Sequence, residues 1–279
     1  MDTSHYYHWL YVMAEKQERF RKKLLFLIIF LLSLSIFITN TYFLYVSLLF
    51  TFLFTLLSWW IKFRIDRQYS LGQDLQNIHI LEIAYNKTPS QFEISHLKTR
   101  SGLQVLREVE KIKQKSGDDP DPGAEYSSKD LTAGNKKLTM MIHENSYWNH
   151  YLYKYTFEKN LQIMVVLILS ILISAFVLLP LVKGILFYDI IKLIFTFLSF
   201  TILYEFLEST VKLKDASSSM LEIDNELSRN TTTLSEENLL NIFAHYVHIK
   251  KNIPTPSEKI YTQHRDLLNK GWNERNIAS

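Results

Sequence analysis

The chain has 279 residues, 47% of them hydrophobic and 21% charged, with a net charge of +3, seven glycines and no cysteine. Disulfide and thiol chemistry are excluded by the cysteine count, and so few glycines leave no P-loop, no GxGxxG and no nucleophile elbow. A charge of +3 without a concentrated basic face argues against direct DNA or RNA binding.

The first segment, residues 1–23, reads as an amphipathic cytoplasmic lead-in ending in Lys16, Arg19, Arg21, Lys22 and Lys23. Residues 24–61 then form 38 consecutive positions without Asp, Glu, Lys, Arg or His. A helix crossing the hydrocarbon takes roughly 20 apolar residues, so this run predicts two spans, and the break at Thr39-Asn40-Thr41 supplies their turn.

Residues 62–115 predict cytoplasmic helices. Ile65, Tyr69, Leu75, Ile78, Leu81 and Ala84 recur mostly every three or four positions, which places them on one helix face. A second helix is expected from Thr88 as cap and Pro89 as first helical residue, running to Lys115. Residues 116–137, rich in Gly, Pro, acids and hydroxyls, predict a flexible loop, because such a segment buries too little apolar surface to offset its ordering entropy.

Neither Gly nor Pro interrupts Lys136 to Leu179. The stretch ENSYWNHYLYKYTFEKN therefore predicts a cytoplasmic helix, residues 138–160, continuous with a third span. Its aromatics nearest the lipid suit an interface belt, while those farther away need protein partners. A second transmembrane hairpin is expected over 161–207, with Pro180 and Gly184 near its turn, and cytoplasmic C-terminal helices over 208–279, one of them capped by Ser235.

The fold class expected is an all-α membrane protein with two transmembrane helical hairpins, four spans in all, and long cytoplasmic helical extensions. Basic residues flank the expected inner ends of the spans: Lys62, Arg64 and Arg67 follow the second, Lys154 and Lys159 precede the third, Lys212 and Lys214 follow the fourth. By the positive-inside rule both termini are cytoplasmic. The lipid bilayer is the first expected partner, and neither a cofactor nor a catalytic residue is indicated.

His245 and His248 share a helix face, and His143 with Glu144 lies near His150, but no further ligand stands at metal spacing, so structural roles are expected for them. Hydroxyls inside the spans form stripes. Ser47, Thr51, Thr55 and Ser58 line one face of the second span, Ser170 and Ser174 stack on the third, and Thr196 and Ser199 on the fourth. They either pack helices together through bonds to backbone carbonyls or wall an assembled pore. Arg64, Lys192, Glu205 and Glu208 are candidate boundary charges, ringing a pore mouth or else pairing and anchoring to headgroups. Four helices from one chain fill their own centre, so a conducting path requires a homo-oligomer or a large rearrangement.

Two hydrophobic hairpins around a cytoplasmic helical block, the segment ENSYWNHYLYKY, and a tail reading IKKNIPTPSEKIYTQHRDLLNKGW together resemble the SMODS-associating four-transmembrane effector family. Asn145 and Trp148 match its motif before the third span, and Pro254, Pro256, Tyr261 and Arg265 match its closing turn and basic helix. The chain departs from the family at Asn149, where an acid is expected, and in a longer Pro-to-Tyr spacing. The resemblance implies a pore-forming effector of bacterial antiphage defence, triggered by a cyclic oligonucleotide received by the cytoplasmic helices. The rival is a membrane-anchored scaffold or sensor subunit recruiting a soluble partner through the tail; an enzyme is not expected.

Overall fold

A computed structural model describes residues 3–35, 40–88, 90–93, 95–96, 99–100, 107, 110–111, 127–128, 130–173, 186–229, 234–251, 253, 256 and 258–277. These residues are all-helical, without a strand. The elements are α1 (Thr3–Ser35), α2 (Thr41–Tyr85), α3 (Asn135–Ile173), α4 (Leu186–Arg229), α5 (Glu236–Lys251) and α6 (Glu258–Ile277), and helical residues recur between 91 and 111.

The ends of these helices follow from local chemistry. Asn40 caps α2, its Oδ1 accepting the amides of Tyr42 at 3.0 Å and Phe43 at 3.4 Å. At the other end Asn86 takes φ 51° and the Lys87 amide reaches back to the Glu82 carbonyl, the left-handed stop that closes many helices. Gly134, at φ 140°, donates its amide to the Ala84 carbonyl at 2.7 Å immediately before α3 starts. Ser235 caps α5 as expected, accepting the Asn238 amide.

Several boundaries differ from the sequence reading. The lead-in 1–23 is no separate element: α1 runs without a break through Lys23, since no Gly or Pro interrupts it. The cap at the start of the next helical segment is Ser90, not Thr88. Ser90 and Glu93 bond reciprocally as a capping box, which offers two orphan amides a partner where Thr88 would offer one. The loop expected over 116–137 ends early, because α3 begins at Asn135 and Ser127 is already tied to Glu144.

Two compact units divide the chain, and each of α1 to α4 contributes to both. One unit comprises Met1–Ala14, Asp66–Thr156 and Leu213–Ser279. Its α4 segment buries Leu213, Ala216, Met220, Ile223 and Leu227, an alternation of three and four that keeps one seam facing inward. Leu10, Leu71 and Leu75 form a second cluster with Tyr6, Tyr7 and Ile78, and Leu152, Ile260 and Leu268 a third, ringed by tyrosines.

The buried face of α2 is wider than the predicted one. Leu71 and Ile80 are buried alongside Ile65, Leu75 and Ala84, while Tyr69, Ile78 and Leu81 are only partly covered. Neighbours cover this part of α2 on more than one side, so Gln68, Gln73 and Asn77 are buried too. At Gly72 a Cβ would stand 2.8 Å from the Tyr11 ring, which is itself pinned by its hydroxyl bond to Gln76. Gly72→Ala is therefore expected to lower the melting temperature, although alanine is the better helix former by about 1 kcal/mol; a rise on calorimetry would show that the ring moves aside freely.

The other unit comprises Glu15–Ile65 and Phe157–Lys212. It extends four to nine residues beyond each hairpin boundary drawn from the sequence, 24–61 and 161–207, and charged residues at the helix ends pair within it. It exposes a broad apolar surface. On α2 alone Tyr42, Val46, Leu49, Phe52, Leu56, Trp60 and Phe63 stand open, and in α3 Val166, Leu169 and Ile173 do. Tyr42–Tyr85 is long and apolar enough to cross a membrane, with a mean hydropathy of 1.9 and only 28% of its most apolar window buried.

Among the described residues this one helix meets that test, and the four spans expected are not reached by it. The reason is length. The described apolar part of α1 ends at Ser35 and that of α3 at Ile173, each short of the roughly 20 residues a crossing takes. Residues 174–185, where the second hairpin turn is expected, lie outside the described residues, as do the side chains of α4 through residue 202.

Candidate functional site

The hydroxyl stripe of α2 faces inward. Ser47, Thr51 and Ser58 are buried, Thr51 to 1% exposure. Ser47 donates to the Leu31 carbonyl of α1 at 3.4 Å, and Thr55 donates to the Thr51 carbonyl one turn earlier at 2.8 Å. Small hydroxyl residues let two backbones approach, and their O–H groups find carbonyls without water. Thr51 Oγ1 and Ser58 Oγ are buried with no hydrogen-bond partner among the described residues. Ser170, Thr196 and Ser199 lie in α3 and α4, but their side chains are outside the description, and Ser174 lies outside the described residues altogether.

The boundary charges are mostly paired. Glu205 of α4 receives Arg21 from α1 and Lys62 from α2, the second at 3.7 Å, so one carboxylate joins three helices. Arg21 is buried and also faces Glu18 at 3.7 Å. Glu208 pairs with Lys212 one turn on, at 2.7 Å. Arg64 lies over the Trp60 ring, 5.0 Å from its centroid, where the face of the indole attracts a cation. The side chain of Lys192 is outside the description.

In the other unit the family-motif positions have packing roles. Asn145 donates its amide to the Met141 carbonyl at 2.8 Å. Trp148 meets Tyr261 with ring centroids 5.8 Å apart, which brings α3 against α6. The neighbouring Tyr155 stacks on His264 at 3.8 Å, and Tyr147 adjoins Trp272 at 5.4 Å. Pro256 and Arg265 are partly buried, and Pro254 lies outside the described residues.

Two polar clusters escaped the sequence reading. The first joins α3, α4 and α6 around Asp224, which is 3% exposed. Arg275 binds both its oxygens, at 3.0 and 2.7 Å, and His143 Nε2 lies 3.1 Å from Oδ1. Burial pushes the Asp224 carboxyl up, but the bonds from His143 and Arg275 outweigh it and hold the group below the usual carboxylate range. Trp272 packs edge-on to His143 and donates its indole N–H to Ser127 Oγ at 3.0 Å. Burial raises the neighbouring Glu144 above the usual range, against the pull of its two bonds from Ser127.

Ser228, His143 and Asp224 contain the residue types of a hydrolytic triad without its geometry. Ser228 Oγ, at 3.4 Å, and Asp224 both approach the same ring nitrogen, Nε2, and Nδ1 is buried without a partner among the described residues. A relay needs the acid and the nucleophile on opposite nitrogens. The cluster is built to hold helices.

The second cluster surrounds Lys250 of α5. Its ammonium nitrogen donates to Gln76 Oε1 at 2.6 Å, and Tyr11 donates to the same oxygen at 3.0 Å. Gln73 donates to the Ile253 carbonyl at 3.4 Å. Burial, with no carboxylate bonded to it, drives the Lys250 ammonium down to about 7. A signal existed in the sequence: three Gln and an Asn within ten residues of α2 are too many for a face that meets only apolar neighbours.

Among the described residues the geometry is that of an all-helical protein in which one helix is long and apolar enough to span a membrane. No protein-family model matches the chain, and neither a curated protein nor a solved structure is significantly similar to it.

Proposed function

We propose that this chain is a multi-pass membrane effector with four spans and cytoplasmic termini, which disrupts a bacterial inner membrane when a nucleotide signal reaches its cytoplasmic helices. The observation that carries the membrane part is the open apolar surface of α2: large aliphatic and aromatic side chains stay uncovered along a helix that carries no charge from Thr41 to Ile61. Soluble monomers rarely expose so continuous an apolar surface. The effector part rests on the family resemblance, and the cyclic oligonucleotide and the homo-oligomer belong to it.

Under this reading the described conformation is a resting one. The stripe Ser47, Thr51 and Ser58 is covered by the chain itself, so opening requires α2 to turn or several copies to assemble around it. A signal achieves this only if it binds the open state more tightly than the closed one. The same burial suits the scaffold reading, in which the stripe only packs.

The discriminating measurement is dye release from vesicles carrying the full chain. A cyclic oligonucleotide should release dye at least tenfold faster than buffer. Release that stays at the buffer rate with a panel of such nucleotides, together with a soluble protein copurifying only when the C-terminal helices are intact, would select the scaffold.

A further inference from the structure

We propose that the Glu15–Ile65 and Phe157–Lys212 unit carries a collar that binds the headgroups of anionic phospholipids, at the level where Glu205 joins α1, α2 and α4. The inference rests on the membrane reading above and adds the class of lipid and the residues that select it.

Register comes from the ion pairs. Because Arg21 and Lys62 share the Glu205 carboxylate, α1 near residue 21 and α2 near residue 62 stand at one height. From that height α2 runs about 30 Å from Lys62 back to Tyr42, close to the thickness of a hydrocarbon core, and the described part of α1 runs about 21 Å to Ser35. The charged ends of these helices thus fall at the headgroup level.

The charges at this level are unbalanced. Without Lys183, Asp189 and Lys192, which belong to the expected opposite end of the second hairpin, the unit holds nine Lys and Arg against five Asp and Glu, a net of +4 in a chain whose total is +3. Its acids near the collar are occupied: Glu205 by Arg21 and Lys62, Glu18 by Arg21 and Lys22, Glu208 by Lys212. Glu15 lies 3.9 Å from Arg19, and Glu158 is exposed. The carboxylates pair with Arg21, Lys22, Lys62, Lys212 and, at 3.9 Å, Arg19, which leaves Lys16, Lys23 and Arg64 for another anion.

Those outward cations are patterned. Lys16, Arg19, Phe20 and Lys23 are exposed at spacings of three, one and three, so they lie on one face of α1, and the same face continues into the exposed Leu27 and Phe30. On α2, Arg64 stands over Trp60 beside Phe63, which is 76% exposed. Aromatic rings at the interface and cations one turn outside it are what a phosphate-bearing headgroup meets. An anionic lipid satisfies both the apolar surface and the charge imbalance, whereas a zwitterionic one satisfies only the first.

The test uses the full chain in phosphatidylcholine vesicles and the fluorescence of its tryptophans, of which Trp59 and Trp60 are exposed in this unit. Brominated phosphatidylglycerol and brominated phosphatidylcholine are added at equal low mole fraction. At 0.1 M salt the anionic quencher should be favoured by at least about fivefold, the effect of one cation near the surface. The preference should vanish in 1 M salt and in the K16Q/R19Q/K23Q/R64Q variant. Equal quenching by both lipids at low salt would overturn the collar and leave the membrane reading intact, and a preference that survives in the variant would overturn the residue assignment. Quenching by neither lipid would remove the membrane reading and the collar with it.

Discussion

Asp224→Asn is expected to destabilise the unit built around α4 by about 3 kcal/mol, because it leaves Arg275 facing a group that no longer carries its countercharge and disturbs the contact with His143. The carboxylate is buried, whereas Arg275 is about one-third exposed and can turn to water, which keeps the loss at the lower end for a broken buried pair. Hydrogen exchange of the detergent-solubilised full chain should show the C-terminal part of α6 losing protection first, since Arg275 and Trp272 attach that end to α4 and α3. The double variant Asp224→Asn/Arg275→Met should recover part of the loss, as coupled partners do. If the two single changes add without coupling, the pair contributes nothing.

The sign of the acid dependence follows. The Asp224 carboxyl titrates lower when folded than when unfolded, so its stabilisation is fully present above the unfolded value near 4 and is lost as pH falls through the lower folded value. Wild type should therefore lose stability below about pH 4 more steeply than Asp224→Asn.

Lys250→Met should act in the opposite pH range. The ammonium group titrates near 10.5 when unfolded and about 7 when folded. A depressed amine binds its proton better in the unfolded chain, so wild-type stability rises from pH 7 to about 10.5 by on the order of 4 kcal/mol, and the cost of the buried charge is fully present below pH 7. Methionine removes that slope while filling a similar volume, and Gln76 keeps its bond from Tyr11. The difference in unfolding free energy between variant and wild type should thus favour the variant at pH 7 and shrink towards pH 10. Parallel stability curves would mean that Lys250 reaches solvent in the folded chain.

The partners in both clusters are not legible segment by segment, for a shared reason. Asp224 pairs with Arg275 across 51 positions and Lys250 with Gln76 across 174, and nothing in the local pattern of an exposed-looking Asp or Lys reveals a partner so distant. His143 has no ligand spacing within its own segment; its neighbours Asp224 and Trp272 come from helices far along the chain. From sequence Glu205 is a candidate boundary charge, and its pairing with Arg21 could not be told from headgroup contact without the packing of α1 against α4.

The sequence by itself determined that this protein is helical and that its apolar surface is arranged in long charge-free runs. Helix length follows from the absence of Gly and Pro within α1 and α3, and helix ends follow from Asn40, Asn86 and Ser235, all local steric and hydrogen-bonding facts. Only the tertiary structure decided which face of each helix is covered. That choice turned the Ser47, Thr51 and Ser58 stripe inward, wrapped the polar half of α2 and gathered three helices on Asp224. Burial depends on contacts between residues far apart in the chain, and a helical period shows only that a face exists, never what lies against it.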